Sequence, residues 1–509
     1  MPRRHDRTPN ADRAGWLDRL APVMRSSQAI AVLCVASFLL SAAVAWGVFE
    51  AVPRLEDEHI NLYQARVFAS GRITQPAPAH AEAFFVPFQV NHQGQIFGKY
   101  PPGYSLLLAI GVLIGQPWVV NALAAALGLL GVYLLAKDLF DADTGLLAAA
   151  LAAVSPMYIM LSGTLLSHAS NLTILVFFAW AFLRAVRRGG SRRYRYAWLA
   201  GGLMGLALTI RPWTALGVGL PFAVAALVIF IQDPRPTFPV FTRMALAFFV
   251  AGSLWPIYNL VATGSPLTNT YQLYWPYDTV GFGPHRGPNG HDLVKAWRNL
   301  NHDLPYLAET LLGWPGVHGV SLTWLAIGLG LLWPPWKKSE GLLLLPAITL
   351  TAAQLAYWAP GGGLYGARYH AEAAPFLWIL AARGLLKLGR RRLPRVLIKV
   401  ALPAVIAWGI FFSLRPRFGE GRDLYDISRE DARTIQAAEL TDALVFVRTE
   451  VWTDYARLSW LNEPSIDDSD VIFAQDLGPR WTRAVARAYP DRSVYRYDRH
   501  AAKPLVALD

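Results

Sequence analysis

Runs of about twenty apolar residues recur along this chain, and they limit what it can fold into more than any other feature. Each run matches the length that carries a helix across a bilayer core. Examples are Ala29–Phe49, Val119–Ala136, Leu165–Val186 and Val396–Leu414. Of the 509 residues, 54% are hydrophobic and 16% charged, too apolar a balance for an ordinary soluble chain. The net charge of +12 does not point to nucleic acid, because the basic residues collect between apolar runs. That placement follows the positive-inside rule.

Sidedness then orders the runs. Arg3, Arg4, Arg7, Arg13, Arg19 and Arg25 place the N-terminus, 1–28, on the cytoplasmic face. The clusters Arg184–Arg195 and Arg390–Arg395 return to that face only if about eleven spans lie within 29–414. The remaining predicted crossings are Gly145–Ser162, Ala197–Pro212, Leu216–Ile231, Met244–Val261, Val320–Leu332, Leu342–Trp358 and Ala371–Leu388. Tyr104–Ile114 is apolar but short, so it is read as a re-entrant or surface-lying helix. External loops cover 51–118 and 263–317, and the C-terminus emerges outside. From 415 to 509 the composition becomes that of a soluble domain. ALVFVR and DVIFAQ read as strands there, and WTRAVARAYP as a helix. The fold class is thus an all-α polytopic membrane protein with a small extracytoplasmic α/β domain. The single cysteine, Cys34, lies in the first run and allows no intrachain disulfide.

The stretch from Glu56 to Tyr104 carries the chemistry. It opens on Glu56, Asp57 and Glu58 and closes on Lys99-Tyr100-Pro101-Pro102. Ile60, Tyr63, Val67 and Phe68 recur at helical spacing, which predicts an amphipathic helix lying flat on a surface. Acids at one end and a cation at the other suit an anionic lipid substrate. Acids are also common at helix starts, and lysines often snorkel at interfaces. Arg211, in LTIRPWTAL, and Arg368, in GGGLYGARYH, fall at the outer ends of spans, where an arginine is costly unless paired. A structural alternative for Arg368 is a pair with Glu372, four residues on. His168, in GTLLSHASNLT, is a possible polar contact. The aromatic loop TGSPLTNTYQLYWPYDTVGFGPHRG suits a sugar or polyprenyl ligand and equally an interfacial belt.

Asp57-Glu58 after the first span, Gly71-Arg72, FGKYPPGYSLLLAIG and the later Gly-Ala-Arg-Tyr segment at 366–369 together resemble the GT-C glycosyltransferases. The nearest branches are of the family 39 type, protein O-mannosyltransferases and the lipid A aminoarabinose transferase. The resemblance extends to about Gly389. It implies a membrane-embedded inverting transferase that moves a sugar from a polyprenyl-phosphate donor to an acceptor hydroxyl on the extracytoplasmic side. Asp57, with Glu58 beside it, would occupy the catalytic position, and burial beside the bilayer is expected to raise the carboxyl pKa. Lys99, Tyr100, Arg211, Arg368 and Tyr369 would meet the donor and its phosphate. Some relatives carry a second acid near His168, and this chain has none from Ser162 to Arg184. A non-catalytic assembly subunit or a lipid or sugar flippase is the alternative. The partners implied are the lipid-linked sugar, a hydroxyl acceptor (lipid, glycan or protein) and membrane lipid, with no nucleic acid. The sequence requires no cofactor and leaves a divalent metal open. The expected location is a bacterial inner or plasma membrane.

Overall fold

The structure, a computed structural model, describes residues 11–187, 190–317, 320–389 and 392–508. Arg3, Arg4, Arg7, Arg188, Arg390 and Arg391 of the basic clusters lie outside the described residues. Helix α1 (Ala11–Gly47) leads into α2 (Glu56–Ala69), the short α3 (Gly103–Leu113) and α4 (Val119–Leu139). The bent pair α5 (Ala142–Ala153) and α6 (Pro156–Gly163) follows, then α7 (His168–Val186), α8 (Arg192–Leu208) and α9 (Pro212–Gln232). α10 (Pro234–Gly252) and α11 (Leu254–Thr263) form one long apolar stretch. Within the 263–317 loop lie α12 (Thr270–Tyr274) and α13 (Leu293–Thr310), and beyond it come α14 (Leu322–Leu332), α15 (Lys338–Leu355), α16 (Ala374–Leu388) and α17 (Arg392–Trp408).

Every one of the eleven expected crossings coincides with a helix or a bent helix pair. By length and hydropathy alone, six helices among the described residues could cross a membrane, or seven if α5 and α6, bent by 62°, count as one. The others are shorter or carry charge. α14 has 11 residues and α16 has 15, and α16 brings Arg383 and Lys387 into buried contact with Glu340 of α15 at 3.0 and 2.8 Å. Such helices pass a pattern reading because their neighbours, rather than lipid, satisfy the charges.

Small residues let the helices approach closely. A Cβ on Gly201 would lie 2.0 Å from the Met244 carbonyl oxygen, and one on Gly205 2.4 Å from that of Phe248. α8 and α10 therefore pack backbone to backbone over a Gly-xxx-Gly face. Arg184 pairs with Asp138 (2.5 Å) at the end of α7 opposite His168. Sixteen residues of helix separate the two ends, roughly 24 Å at 1.5 Å rise. The basic connections and the 51–118 and 263–317 loops thus occupy opposite ends of the bundle.

Outside the bundle, α2 does not lie flat on a surface. Ile60 and Val67 are buried, and the helix is held between α3 and the C-terminal domain. The amphipathic spacing suggests a surface-lying helix, but its second covering layer comes from the C-terminal domain, far away in sequence. Strands Gln75–Pro76, Gln95–Gly98 and Gln89–His92 form a small antiparallel sheet beside it. In the C-terminal part, Ala443–Arg448 is the continuously apolar strand expected of a parallel sheet buried on both sides. It pairs in parallel with Val471–Asp476 and Ser493–Tyr497, and Leu505–Ala507 adds an antiparallel edge. The predicted helix is Pro479–Ala488. Ala83 and Phe84, from the first external loop, pack into this domain's core with Leu444, Phe446, Ile472 and Val485.

Candidate functional site

A cavity of about 650 Å³ opens among α2, the start of α3, α7, α9, the 266–280 loop and the turn at 368–369. Asp57, Tyr100, His168, Arg211, Arg368 and Tyr369 share its wall. Six of the sequence candidates are therefore brought together, although they are drawn from positions 57 to 369. The lining also includes the apolar Leu216, Trp255 and Leu267, of which Leu216 on α9 and Leu267 in the loop are exposed at the protein's surface. The cavity therefore combines a charged cluster with apolar side chains that reach the surface.

Asp57 sits in the first turn of α2, where the helix dipole favours a carboxylate. Its Oδ1 accepts the Tyr100 hydroxyl, and its Oδ2 lies 3.4 Å from Nη1 of Arg368. Burial pushes the Asp57 pKa up, but Arg368, the Tyr100 hydrogen bond and Lys99 outweigh it and hold the carboxyl below the usual range. This corrects the expectation of a raised value, which considered burial without the cations that the fold brings in. Reciprocally, burial would lower the Arg368 pKa, but Asp57 and the neighbouring tyrosines raise it. The Tyr100 phenol is driven well up by burial and by Asp57, so it stays a hydrogen-bond donor.

Glu58 points the other way. Its Oε2 accepts the backbone amides of Arg54 (2.8 Å) and Leu55 (3.1 Å), and its Oε1 that of Leu165 (2.8 Å). It caps α2 and ties the turn before α7 to it, and it does not line the cavity. The geometry assigns the two neighbouring acids different tasks, which follows from helical spacing: adjacent side chains project about 100° apart.

Lys99 is not on the cavity wall. Its ammonium is 3.2 Å from Asp278 Oδ2, 3.7 Å above the Phe88 ring and 4.5 Å from the Trp275 ring. Burial lowers its pKa and Asp278 opposes that. Asp278 also accepts the Tyr357 hydroxyl (3.0 Å) and the Trp358 indole (3.2 Å). Asp278 lies within the aromatic loop TGSPLTNTYQLYWPYDTVGFGPHRG, where a lone carboxylate among aromatics is its one sequence signal.

Arg211 and Glu372 form a second ion pair, Nε to Oε1 3.0 Å. Arg211 Nη1 lies 3.3 Å from His168 Nε2. Guanidinium cannot accept, so that nitrogen is the acceptor and Nδ1 carries the proton, 3.7 Å from Glu372 Oε1. Asn171 donates to the same oxygen at 3.3 Å. The expected Arg368–Glu372 pair is therefore replaced by Arg368–Asp57 and Arg211–Glu372. The turn Arg368–Ala373 is 3₁₀ rather than α, so four-residue spacing does not bring those two side chains together. The acid missing between Ser162 and Arg184 is supplied beside His168 by Glu372, two hundred residues later. Tyr369 links the two halves, with Arg211 at 5.4 Å and Arg368 at 5.6 Å from its ring. Among the described residues no group of three or more His, Cys, Asp or Glu could hold a metal ion.

Residues 99–255 match the dolichyl-phosphate-mannose-protein mannosyltransferase family. No curated protein matches the chain in sequence. Among solved structures, the chain is similar to ArnT from Cupriavidus metallidurans bound to undecaprenyl phosphate, with a TM-score of 0.58 at 14% identity over 92% of this chain and 89% of that one. ArnT in the apo state gives 0.55 at 12% identity, over 91% and 92%. The chain is thus an integral membrane protein that shares the fold of ArnT over nearly its whole length.

Proposed function

We propose that the chain is an inverting glycosyltransferase that moves a sugar from a polyprenyl-phosphate donor to a hydroxyl acceptor on the side of the external loops. The observation that carries this reading is the cavity itself. An ionised, cation-flanked carboxylate, Asp57, stands in a space whose lining also carries apolar side chains that reach the surface. The bound lipid of the ArnT structure supports the donor class. A polyprenyl chain would enter past Leu216 and Trp255, leaving its phosphate near Arg368 and Arg211. Asp57 would accept the acceptor's proton as its oxygen attacks the anomeric carbon opposite the phosphate. The arginines would stabilise the charge that grows on the departing lipid phosphate. Lys99 lies one layer behind, on Asp278, and reaches that phosphate only if Asp278 releases it. The reading places the N-terminus in the cytoplasm, the domain after 415 outside, and the protein in a bacterial plasma membrane.

Purified protein in nanodiscs, given labelled polyprenyl-phosphate sugars and candidate hydroxyl acceptors, should release lipid phosphate. Asp57→Asn should not. Movement of intact lipid-linked sugar across the bilayer without phosphate release would replace this reading with that of a flippase.

A further inference from the structure

Helix α13 lies outside the cavity, yet one of its faces grips the segment that delivers Arg368. Asn299, Asp303, Leu307 and Thr310 recur at spacings of four, four and three and so share that face. Asn299 Nδ2 donates to the Trp358 carbonyl at 3.0 Å. Asp303, 4% exposed, accepts the amide of Gly361 on Oδ2 at 2.9 Å and that of Gly362 on Oδ1 at 2.6 Å. Farther along, a Cβ on Gly366 would lie 2.7 Å from Thr310 Oγ1. Gly366 also adopts φ +96°, a region that favours glycine, and its carbonyl accepts the Arg368 amide at 2.8 Å.

Two consecutive amides on the two oxygens of one buried carboxylate fix the direction as well as the position of the backbone. Such charge-assisted bonds are about twice as strong as neutral ones. Seven residues beyond Gly361 the chain presents Arg368 to Asp57. Gly361 itself is closed over Tyr369, since a Cβ there would be 2.3 Å from the ring. The titratable neighbours of Asp303 are His302, with Nδ1 3.0 Å from Oδ1, and the buried His370, with Nδ1 4.0 Å from Oδ2.

We infer that Asp303 is a positioning residue: through Gly361 and Gly362 it sets the place of the Arg368–Tyr369 turn against Asp57. The inference rests on the proposed role of Asp57 and Arg368, and its test separates the two. The groups that face Asp57 are Arg368, Tyr100, Lys99, His168, Glu56, Tyr271, Tyr369 and Tyr425; of these, Asp303 acts through Arg368 and Tyr369, which share the turn it holds. In Asp303→Asn one oxygen remains and the other becomes a donor facing an amide N–H. Loosening the turn by about 1 Å is expected to slow single-turnover transfer roughly 10- to 100-fold. It should also move the protonation midpoint of Asp57 upward, read by infrared difference spectroscopy against the same protein carrying Asp57→Asn. Asp303→Glu should recover part of both effects. Gly362→Ala attacks the contact from the other side, because its Cβ would meet Asp303 Oδ1 at 2.8 Å; it should reproduce both effects where Asp303→Asn folds poorly. Folded variants with an unchanged Asp57 midpoint would overturn the inference. If the midpoint moves but the wild type transfers no sugar, the positioning role stands and the proposed reaction falls.

Discussion

Removing the Arg368 charge by Arg368→Gln should change the titration of Asp57 by an amount that the geometry bounds. The pair is separated by 3.4 Å, with side chains 16% and 24% exposed. Coulomb's law gives roughly 5 kcal/mol at an effective dielectric of about 20 and roughly 1 kcal/mol in water. Partial exposure and counterions discount the upper figure. An arginine at this range typically lowers a carboxyl pKa by about 1–3 units, or roughly 1.4–4 kcal/mol, which fits between those limits. The sign follows from what remains: burial still raises the Asp57 pKa, and its first opponent is gone. The Asp57 midpoint should therefore rise by about 1–3 units, and the acid limb of transfer should rise with it. Because the folded-state pKa is depressed, the pair contributes stability above the unfolded carboxyl pKa and loses it as pH falls through the folded value. Arg368→Gln should accordingly be less stable than the wild type at neutral pH and equal to it in strong acid. The measurement is a pH series of infrared spectra in nanodiscs, with Asp57→Asn as the blank. A midpoint that stays put, or falls, in folded Arg368→Gln protein would refute the assignment of Arg368 as the cation that tunes Asp57.

Asp57→Asn should reduce transfer by roughly a hundredfold or more with donor binding retained, whereas Glu58→Gln should show as lost thermal stability and folded yield, since three backbone amides depend on it; both are read by single-turnover kinetics and melting. Lys99→Met should cost about 3–5 kcal/mol by stranding Asp278. The double variant Lys99→Met/Asp278→Asn should regain part of that stability, and donor affinity that also recovers in it would remove Lys99 from the phosphate site. With Cys34 replaced by serine, single cysteines at the exposed positions Ala79 and Arg483 should react with an impermeant reagent from outside intact cells, and one at Arg235 should not; any other pattern breaks the proposed sidedness.

What the sequence disclosed is local. Apolar runs and the strand pattern of ALVFVR are properties of consecutive residues, and each led to the element found. Arg211 and Arg368 stand out because an arginine at the end of a span is costly unless paired, and Asp57 and Tyr100 through the resemblance of their segments to the GT-C transferases. The pairings were not legible. Which cation faces Asp57 depends on a 3₁₀ turn 311 residues away, and Lys99 is claimed by an aspartate 179 residues away. Glu58 is indistinguishable from Asp57 in composition, and only helical rotation turns one toward the cavity and the other into the capping of α2. Asp303 carries no sequence signal, because its partners are backbone amides.

The shared core between the first external loop and the C-terminal domain has a consequence for how the chain is made. Phe84 and Ala83 are covered by strands from the last part of the chain, and Gln475, which donates to the Phe85 carbonyl, lies 390 residues downstream. At synthesis rates of roughly 5–20 residues per second, this apolar loop waits about 20 to 80 s for the surface that buries it. During that interval the loop is a hydrophobic segment without its partner, and a chain arrested before Ala443 would leave Phe84 and Val86 uncovered, open to chaperones and proteases.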